Sequence, residues 1–461
     1  MDAVLKDYAR RLEALAREQG LDFHPIDFEQ VPESVMTEVA VYGLPVRMPH
    51  WSFGVRYIYQ FVRQRMGNSR LFEVMFPGNP SRAYLADRNG LEENTLVTAH
   101  VVGHADFAHR NLLFASAQSQ VGGRIVEQAA THARQIGDAI ERHGQDRVEA
   151  VLDAALAVEQ HVDVTRGLRR ERFAEYAQDD PGPEPGAFRS RYERLPGDSS
   201  RPAPPRAPRR NPLPPAPESD LLWFIAEYAP DLQGWERDIL LAVREESFFF
   251  HPIFACQIMN EGWASYWHAR LLRQADFLPH GAYLEALKAH SDVVRPFAGD
   301  NEVSLAVNPY HLGFAIWEDL IERHGIEHAF RVAAEDDDFG FIRNHLDADL
   351  AARLSLFTWN ARRNGEVSVE SRDIEAVREA LLAKKYNFGA PSIAVASVHV
   401  DGTLELRHDH AVDGRGLDLQ RATRVLDYLH AIWRRPVQLH TTGADGGACT
   451  LSAGGGNTPG G

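Results

Sequence analysis

Two short stretches of this chain hold side chains whose types and spacing could do chemistry. His-Val-Val-Gly-His spans His100–His104, and Asn-Glu-Gly-Trp-Ala-Ser-Tyr-Trp spans Asn260–Trp267. Four residues make just over one turn of α-helix, so His100 and His104 lie on one face and both imidazoles can reach a single ion. Glu261 stands beside Gly262 in a run of aromatic and small residues. Such a setting does not suit a solvated charge, which makes this carboxylate the natural third ligand. An imidazole–imidazole–carboxylate set suits zinc first and iron second. The structural alternatives are a pair of hydrogen-bonded core histidines and a buried glutamate paired with an arginine.

Other groups near these motifs carry weaker signals. His268 shares the helix face of Glu261, but seven residues of helix put it roughly 10 Å along the axis. It is therefore placed behind the ligands or toward a substrate, with a purely structural role as the alternative. Asp106 is two residues from His104, points to another face and reads as a helix-surface residue. Trp263, Tyr266 and Trp267 read as core in preference to a stacking platform. Hydrolysis at a metal needs a group that takes a proton from bound water, and Val101, which follows the first histidine, cannot. Glu245 and Glu246 precede Glu261 by about four helical turns with Pro252 between, so a bend would fold them over the site as base or further ligand. Their alternative is an ion pair with Arg244 or with an arginine of the linker. A di-iron centre of the ferritin type needs paired Glu-x-x-His helices. The spacing found here, Glu405 to His408, falls in an expected strand.

The 461 residues leave room for two or three domains, and 44% hydrophobic with 25% charged residues is an ordinary soluble composition. A net charge of -16 argues against general affinity for nucleic acid or an anionic membrane. No apolar run approaches the roughly 20 residues that span a bilayer, and the first residues read as an amphipathic helix, not a leader. Cys256 and Cys449 are far apart, which excludes a disulfide framework and a thiolate zinc site. The cytoplasm is the simplest home.

The elements that must position the motifs follow from periodicity. Val4, Tyr8, Leu12 and Leu15 predict a helix over 3–19, and short strands are expected at 71–76 and 82–86. One helix from Glu93 to about Ala117 carries the histidines, with two more at 123–143 and 146–161. Residues 181–217 contain 12 of the 26 prolines and seven arginines against three acidic residues. Such a stretch reads as an extended linker or loop, or as a docking segment for a partner. Helical patterns resume at 220 and continue to Lys384, with Ala255–Leu272 carrying Glu261. Beyond Asn387 the pattern changes to a ββαβ unit, with a hairpin at Asp401–Gly402 and a helix over 417–433. The expected architecture is mainly α. A helical body is divided into 1–180 and 218–387 by the 181–217 linker. A small α/β domain follows at 388–440, then a Gly-rich tail without structure at 441–461.

The histidine pair with a later Glu-Gly-x-Ala helix is similar to the gluzincin metallopeptidases, which implies a zincin-like helical body. Their catalytic Glu, however, is Val101 here. More of the chain resembles the stage V sporulation protein R (SpoVR) family. The stretches are His50-Trp-Ser-Phe-Gly54, Asn79-Pro-Ser-Arg-Ala-Tyr84, Ala99-His-Val-Val-Gly-His104 and Asp220-Leu-Leu-Trp-Phe-Ile-Ala-Glu227. The series continues through Arg244-Glu-Glu246, Met259-Asn-Glu-Gly-Trp-Ala-Ser-Tyr-Trp-His268 and Asn308-Pro-Tyr-His-Leu-Gly-Phe314. The resemblance implies a bacterial, cytoplasmic protein with a part in spore-cortex or cell-envelope formation. It also makes His290, which matches a family position, a candidate fourth ligand. His109 stands where relatives commonly have Lys and is set aside as a ligand. The expected protein binds a metal, zinc or else iron, at His100, His104 and Glu261 without the usual base. The alternatives are an active metal-dependent hydrolase with a relocated base, or a metal-free helical scaffold or regulator with protein partners.

Overall fold

Asp2 starts the first helix by accepting the Val4 amide at its carboxylate, and Leu5, Ala9, Leu12 and Ala16 then bury one face of α1 (Ala3–Glu18). The architecture described is that of a computed structural model. It describes residues 2–65, 73–173, 212–294, 307–361, 367–383, 385–443 and 446–454. All seven arginines of the 181–217 stretch lie outside these residues, and so does the linker expectation that rests on them. After α1 come β1 (Ile26–Val31), α2 (Glu33–Tyr42), α3 (Trp51–Arg65), β2 (Glu73–Phe76) and β3 (Ser81–Ala86). The strands form one sheet in the order β1-β3-β2, with β1 parallel and β2 antiparallel to β3.

The helical body is built around α4 (Leu91–Arg110), whose residues from Asn94 to Ala108 are all buried. A helix apolar and buried all round belongs at the centre of a large core. Glu93 caps its start by accepting the Gly90 amide. The single helix expected over 93–117 is broken at Asn111. The Asn111 side chain caps α5 (Leu112–Val121) and donates to the carbonyls of Ala333 and Asp336. Then follow α6 (Ile125–His143), α7 (Gln145–Ala157), α8 (Leu221–Tyr228), α9 (Gly234–Ala255), α10 (Gln257–Gln274) and α11 (His280–Val293). The body closes with α12 (Pro309–His324), α13 (Ile326–Glu335), α14 (Asp338–His345), α15 (Ala348–Arg353), the β4–β5 hairpin (Thr358–Ala361, Val367–Ser371) and α16 (Ile374–Leu382). Asp338 fixes where α10 begins: its carboxylate accepts the amides of Ile258 and Met259 and pairs with Lys385 at 3.0 Å.

One core gathers α1, α4, α10 and α12–α15, with Trp263, Trp267 and Trp317 fully buried at its centre. No stacking platform is available from those tryptophans. Asp106, expected on the surface, is also buried. It accepts from the Trp263 indole and the Asp22 amide and pairs with Arg110, so its helix face is roofed by α10 and the residues after α1.

The C-terminal part contains β6 (Ile393–Val398), β7 (Leu404–His408), the short α17 (His410–Asp413), α18 (Leu419–Trp433), β8 (Val437–Thr442) and β9 (Ala448–Ala453). They form a four-stranded sheet in the order β6-β7-β8-β9. Two features differ from expectation. The Gly-rich tail supplies β9, which pairs antiparallel with β8 because Ala448–Ala453 alternates between exposed and half-buried positions and ends on buried Ala453. The unit also shares its core with the body: Val395, Leu406, Leu439 and Trp433 belong to one apolar cluster with α7, α8 and α9. Among the described residues, no helix is long and apolar enough to cross a membrane.

Candidate metal centre

α4 supplies His100 and His104, and α10 lies close enough to bring Glu261 against both. The approach depends on small residues beside these polar groups. A Cβ on Gly103 would lie 2.7 Å from Ala264 Cα, and one on Gly262 would lie 2.3 Å from the backbone of Gly313 on α12. Glycines thus let three helix backbones meet where the polar groups converge.

Glu261 Oε2 lies 3.5 Å from His104 Nε2 and 3.7 Å from His100 Nε2. Glu73, at the start of β2, approaches from the other side with Oε1 3.8 Å from His100 Nε2. Ligand atoms of Glu73, His100 and His104 all lie within 4.8 Å of one another. Atoms that share one tetrahedral ion at 2.0–2.1 Å stand about 3.4 Å apart. Glu261 Oε2 is buried and has no hydrogen-bond partner among the described residues. A carboxylate oxygen left that way between two imidazoles is the arrangement an ion satisfies. The Tyr310 phenol acts on the Glu261 carboxylate, and its ring stacks on His100 with centroids 6.1 Å apart.

The remaining imidazole nitrogens set the tautomers. His104 Nδ1 meets Asn260 Oδ1 at 2.8 Å, so Nδ1 carries the proton and Nε2 turns a lone pair to Glu261. His100 Nδ1 meets His268 Nδ1 at 2.9 Å, and His268 Nε2 meets His290 Nδ1 at 2.6 Å. In the neutral tautomer in which each ring donates to the next, His100 Nε2 would be free to hold an ion. His268 therefore stands directly behind His100. His290 reaches the cluster only through His268, one imidazole further out than the fourth-ligand expectation placed it.

Electrostatics follow from burial and these neighbours. Burial opposes a charge on His100, yet Glu261 and Glu73 outweigh it and hold its pKa above the ordinary value. Burial and the adjacent His100 push His104 down to about 4. Glu261 is held low against its burial by His100, His104 and Tyr310, whereas Glu73 is raised by burial and by the Glu261 charge. Tyr310 is driven well above its usual range, by Glu261 first and burial second, and stays a neutral donor.

Glu245 and Glu246 are elsewhere. α9 runs on through Pro252 to Ala255, about 14 Å of helix beyond Glu246, before the chain turns. Glu246 pairs with Arg47 at 2.7 Å and contacts His132 at 3.3 Å, and Glu245 lies 3.8 Å from the same histidine. Among the described residues neither makes an ion pair or hydrogen bond with His100, His104 or Glu261. Arg244 is engaged by Asp220. Three groups of the cluster carried no signal in the sequence motifs as read. Glu73 begins a short strand far from both motifs. Asn260 and Tyr310 lie inside quoted stretches, but nothing in their spacing assigns a role.

A family model described as "SpoVR like protein" matches residues 2–390, and one described as "SpoVR-like C-terminal domain" matches residues 391–444. The chain is 28% identical over 486 aligned residues to the Escherichia coli (strain K12) protein named "Uncharacterized protein YcgB", covering 96% of this chain and 92% of that one. No solved structure matches the chain.

Proposed function

The chain belongs to the SpoVR family, and from its buried histidine–carboxylate cluster we propose that it binds one divalent metal ion. His100 Nε2, His104 Nε2, Glu261 and Glu73 are the ligands. The observation that carries this is Glu261 Oε2, buried and accepting no hydrogen bond among the described residues, held 3.5 and 3.7 Å from two imidazole nitrogens. Two carboxylates neutralise a dication, and the mixed nitrogen–oxygen set favours zinc, then iron. Asn260 and His268 orient the imidazoles, as outer hydrogen-bond partners of metal-bound histidines do.

Four protein ligands make a closed site, which is the form of a structural metal. The ion then ties α4, α10 and the β2 end of the sheet together, and the protein acts as a metal-held scaffold in the cytoplasm. A part for it in spore-cortex or cell-envelope formation rests on the family resemblance. The zincin-like character of the body rests on the histidine pair and the Glu-Gly-x-Ala helix. A second reading is favoured by Glu73, whose raised pKa and position beside both imidazoles suit the water-activating role that Val101 cannot fill. In that case three ligands hold the ion and the fourth position takes water.

Metal analysis of untagged protein tests the first reading, with about one zinc or iron per chain expected. His100→Ala with His104→Ala should abolish it. Absence of metal after purification, together with no saturable uptake of zinc or iron at micromolar concentration, would refute the site. Glu73→Gln separates the two readings. Loss of metal affinity supports four ligands and the scaffold, whereas retained metal with lost peptide or amide hydrolysis supports the hydrolase.

A further inference from the structure

A second feature, two turns further along α10 and α12, is independent of the ion. Arg270 and Arg273 stand three residues apart on α10, and Glu318 and Glu322 stand four apart on α12. Each doublet places like charges on neighbouring positions of one helix, which is unfavourable unless something offsets it. Among the described residues none of the four makes an ion pair. Arg270 is held by neutral partners, the Tyr266 hydroxyl at 2.9 Å and Gln19 Oε1 at 3.2 Å, so its charge is uncompensated.

The doublets line two cavities that share Tyr266, Arg273 and Glu318. Arg270, Arg273 and Glu318 line a cavity of 240 Å³, and Arg273, Glu318 and Glu322 line an adjoining one of 500 Å³. Arg273 and Glu318 belong to both cavities without closing to ion-pair distance. They do sense each other: partial burial raises the Glu318 carboxyl, and Arg273 opposes that rise while Glu322 adds to it. At the far end Arg353 and Asp319 pair with one another, which leaves only the central charges unmatched. Apolar residues share the walls with these charges, Phe314 in the smaller cavity and Ile321, Leu350 and Leu354 in the larger.

From this pattern we infer that the cleft between α10 and α12 binds a small amphoteric molecule, a free amino acid or short peptide with an apolar side chain. Its carboxylate lies on Arg270 and Arg273, and its ammonium group on Glu318 and Glu322. A simple anion would offset one doublet and leave the other, whereas a zwitterion offsets both. The apolar walls accept the side chain. Phe314 also packs against His290, with ring centroids 5.4 Å apart, so the cleft adjoins the outer end of the histidine chain while sharing no proposed ligand with it.

Calorimetric titration of the full chain with L-leucyl-L-leucine, its N-acetyl derivative and its C-terminal amide tests the inference. The dipeptide should bind saturably, and blocking either end should weaken binding by about 10-fold or more, as loss of a charge-assisted hydrogen bond does. Arg273→Gln and Glu318→Gln should weaken it to the same degree while leaving thermal unfolding unchanged, because both side chains reach solvent and neither makes an ion pair among the described residues. His100→Ala with His104→Ala should bind the dipeptide as well as the unaltered chain, even if that variant has lost its metal. Three results would overturn the inference: no saturable binding at millimolar dipeptide, equal binding of the N-acetyl form, or equal binding by both cleft variants. Loss of binding in the folded double-histidine variant would place the dipeptide at the metal centre and would also overturn it.

Discussion

Gly262→Ala puts one methyl group where α10 crosses α12. The added Cβ would stand 2.3 Å from the Gly313 carbonyl carbon and 2.5 Å from its Cα, whereas ordinary contact begins at 3.4 Å. Backbone cannot swing aside as a side chain does, so the two helices must separate by about 1 Å. The separation loosens Trp263 and Trp317, which pack at 4.7 Å between ring centroids and are fully buried. Overpacking of this kind costs about 3 kcal/mol, or roughly 6 °C in Tm at about 2 °C per kcal/mol for a large domain. The shift also carries Glu261, the preceding residue, away from His100 and His104. Metal geometry tolerates about 0.2 Å, so zinc affinity should fall by about tenfold or more. Gly137→Ala is the control: it lies inside α6 with no atom within 4 Å of the new Cβ, and should be neutral or stabilise by about 0.5–1 kcal/mol. Thermal unfolding followed by circular dichroism, with competitive zinc titration, reads both effects. A Gly262→Ala protein that melts with the unaltered chain and binds zinc equally well would refute the close-approach reasoning.

Further expectations concern parts of the fold that hold or surround the site. Asp338→Ala leaves Lys385 and two helix-start amides without their buried partner, so urea unfolding should show a loss of about 3–5 kcal/mol, with Asp338→Asn milder because it still accepts. Glu246→Ala removes one of the two carboxylates on buried Arg47, which keeps Glu159 at 3.1 Å, and should cost about 1.5–3 kcal/mol while metal content stays unchanged; a loss of metal would bring Glu246 into the site after all. His345 is held down to about 4 by burial, with His328 and His324 adding to it and outweighing Asp336 at 3.6 Å, so it is neutral in the fold near pH 6 and takes a proton on unfolding there. Its contribution to stability is complete above its ordinary value of 6.5 and is lost as pH falls from there toward 4. His345→Asn should therefore flatten the decline of the urea midpoint across that window, and a pH dependence identical to that of the unaltered chain would exclude the assignment.

The two histidines and Glu261 were legible in the chain because helical spacing alone puts His100 and His104 on one face, and Glu261 sits in a segment too apolar for a free charge. The same local rules located α1, α4, α10 and the C-terminal hairpin. They failed where a distant partner decides. Asn111 breaks an otherwise helical run because its side chain also serves α13. Asp106 seemed a surface residue until Trp263 and Asp22 closed over it. β9 exists only because β8 offers an edge to Ala448–Ala453.

The amino-acid order by itself determined the helical character, the histidine pair on one face of α4 and the apolar residue, Val101, after the first of them. Only the tertiary structure decided what surrounds that pair: Glu73 from a strand, Tyr310 from α12, and His268 and His290 in line behind His100. It also withdrew Glu245 and Glu246 to Arg47 and His132. The physical reason is range. Backbone periodicity acts over a few residues and can align neighbours on one face, whereas the partner of a buried charge is chosen by which helices pack, and here glycines at 103, 262 and 313 let them meet.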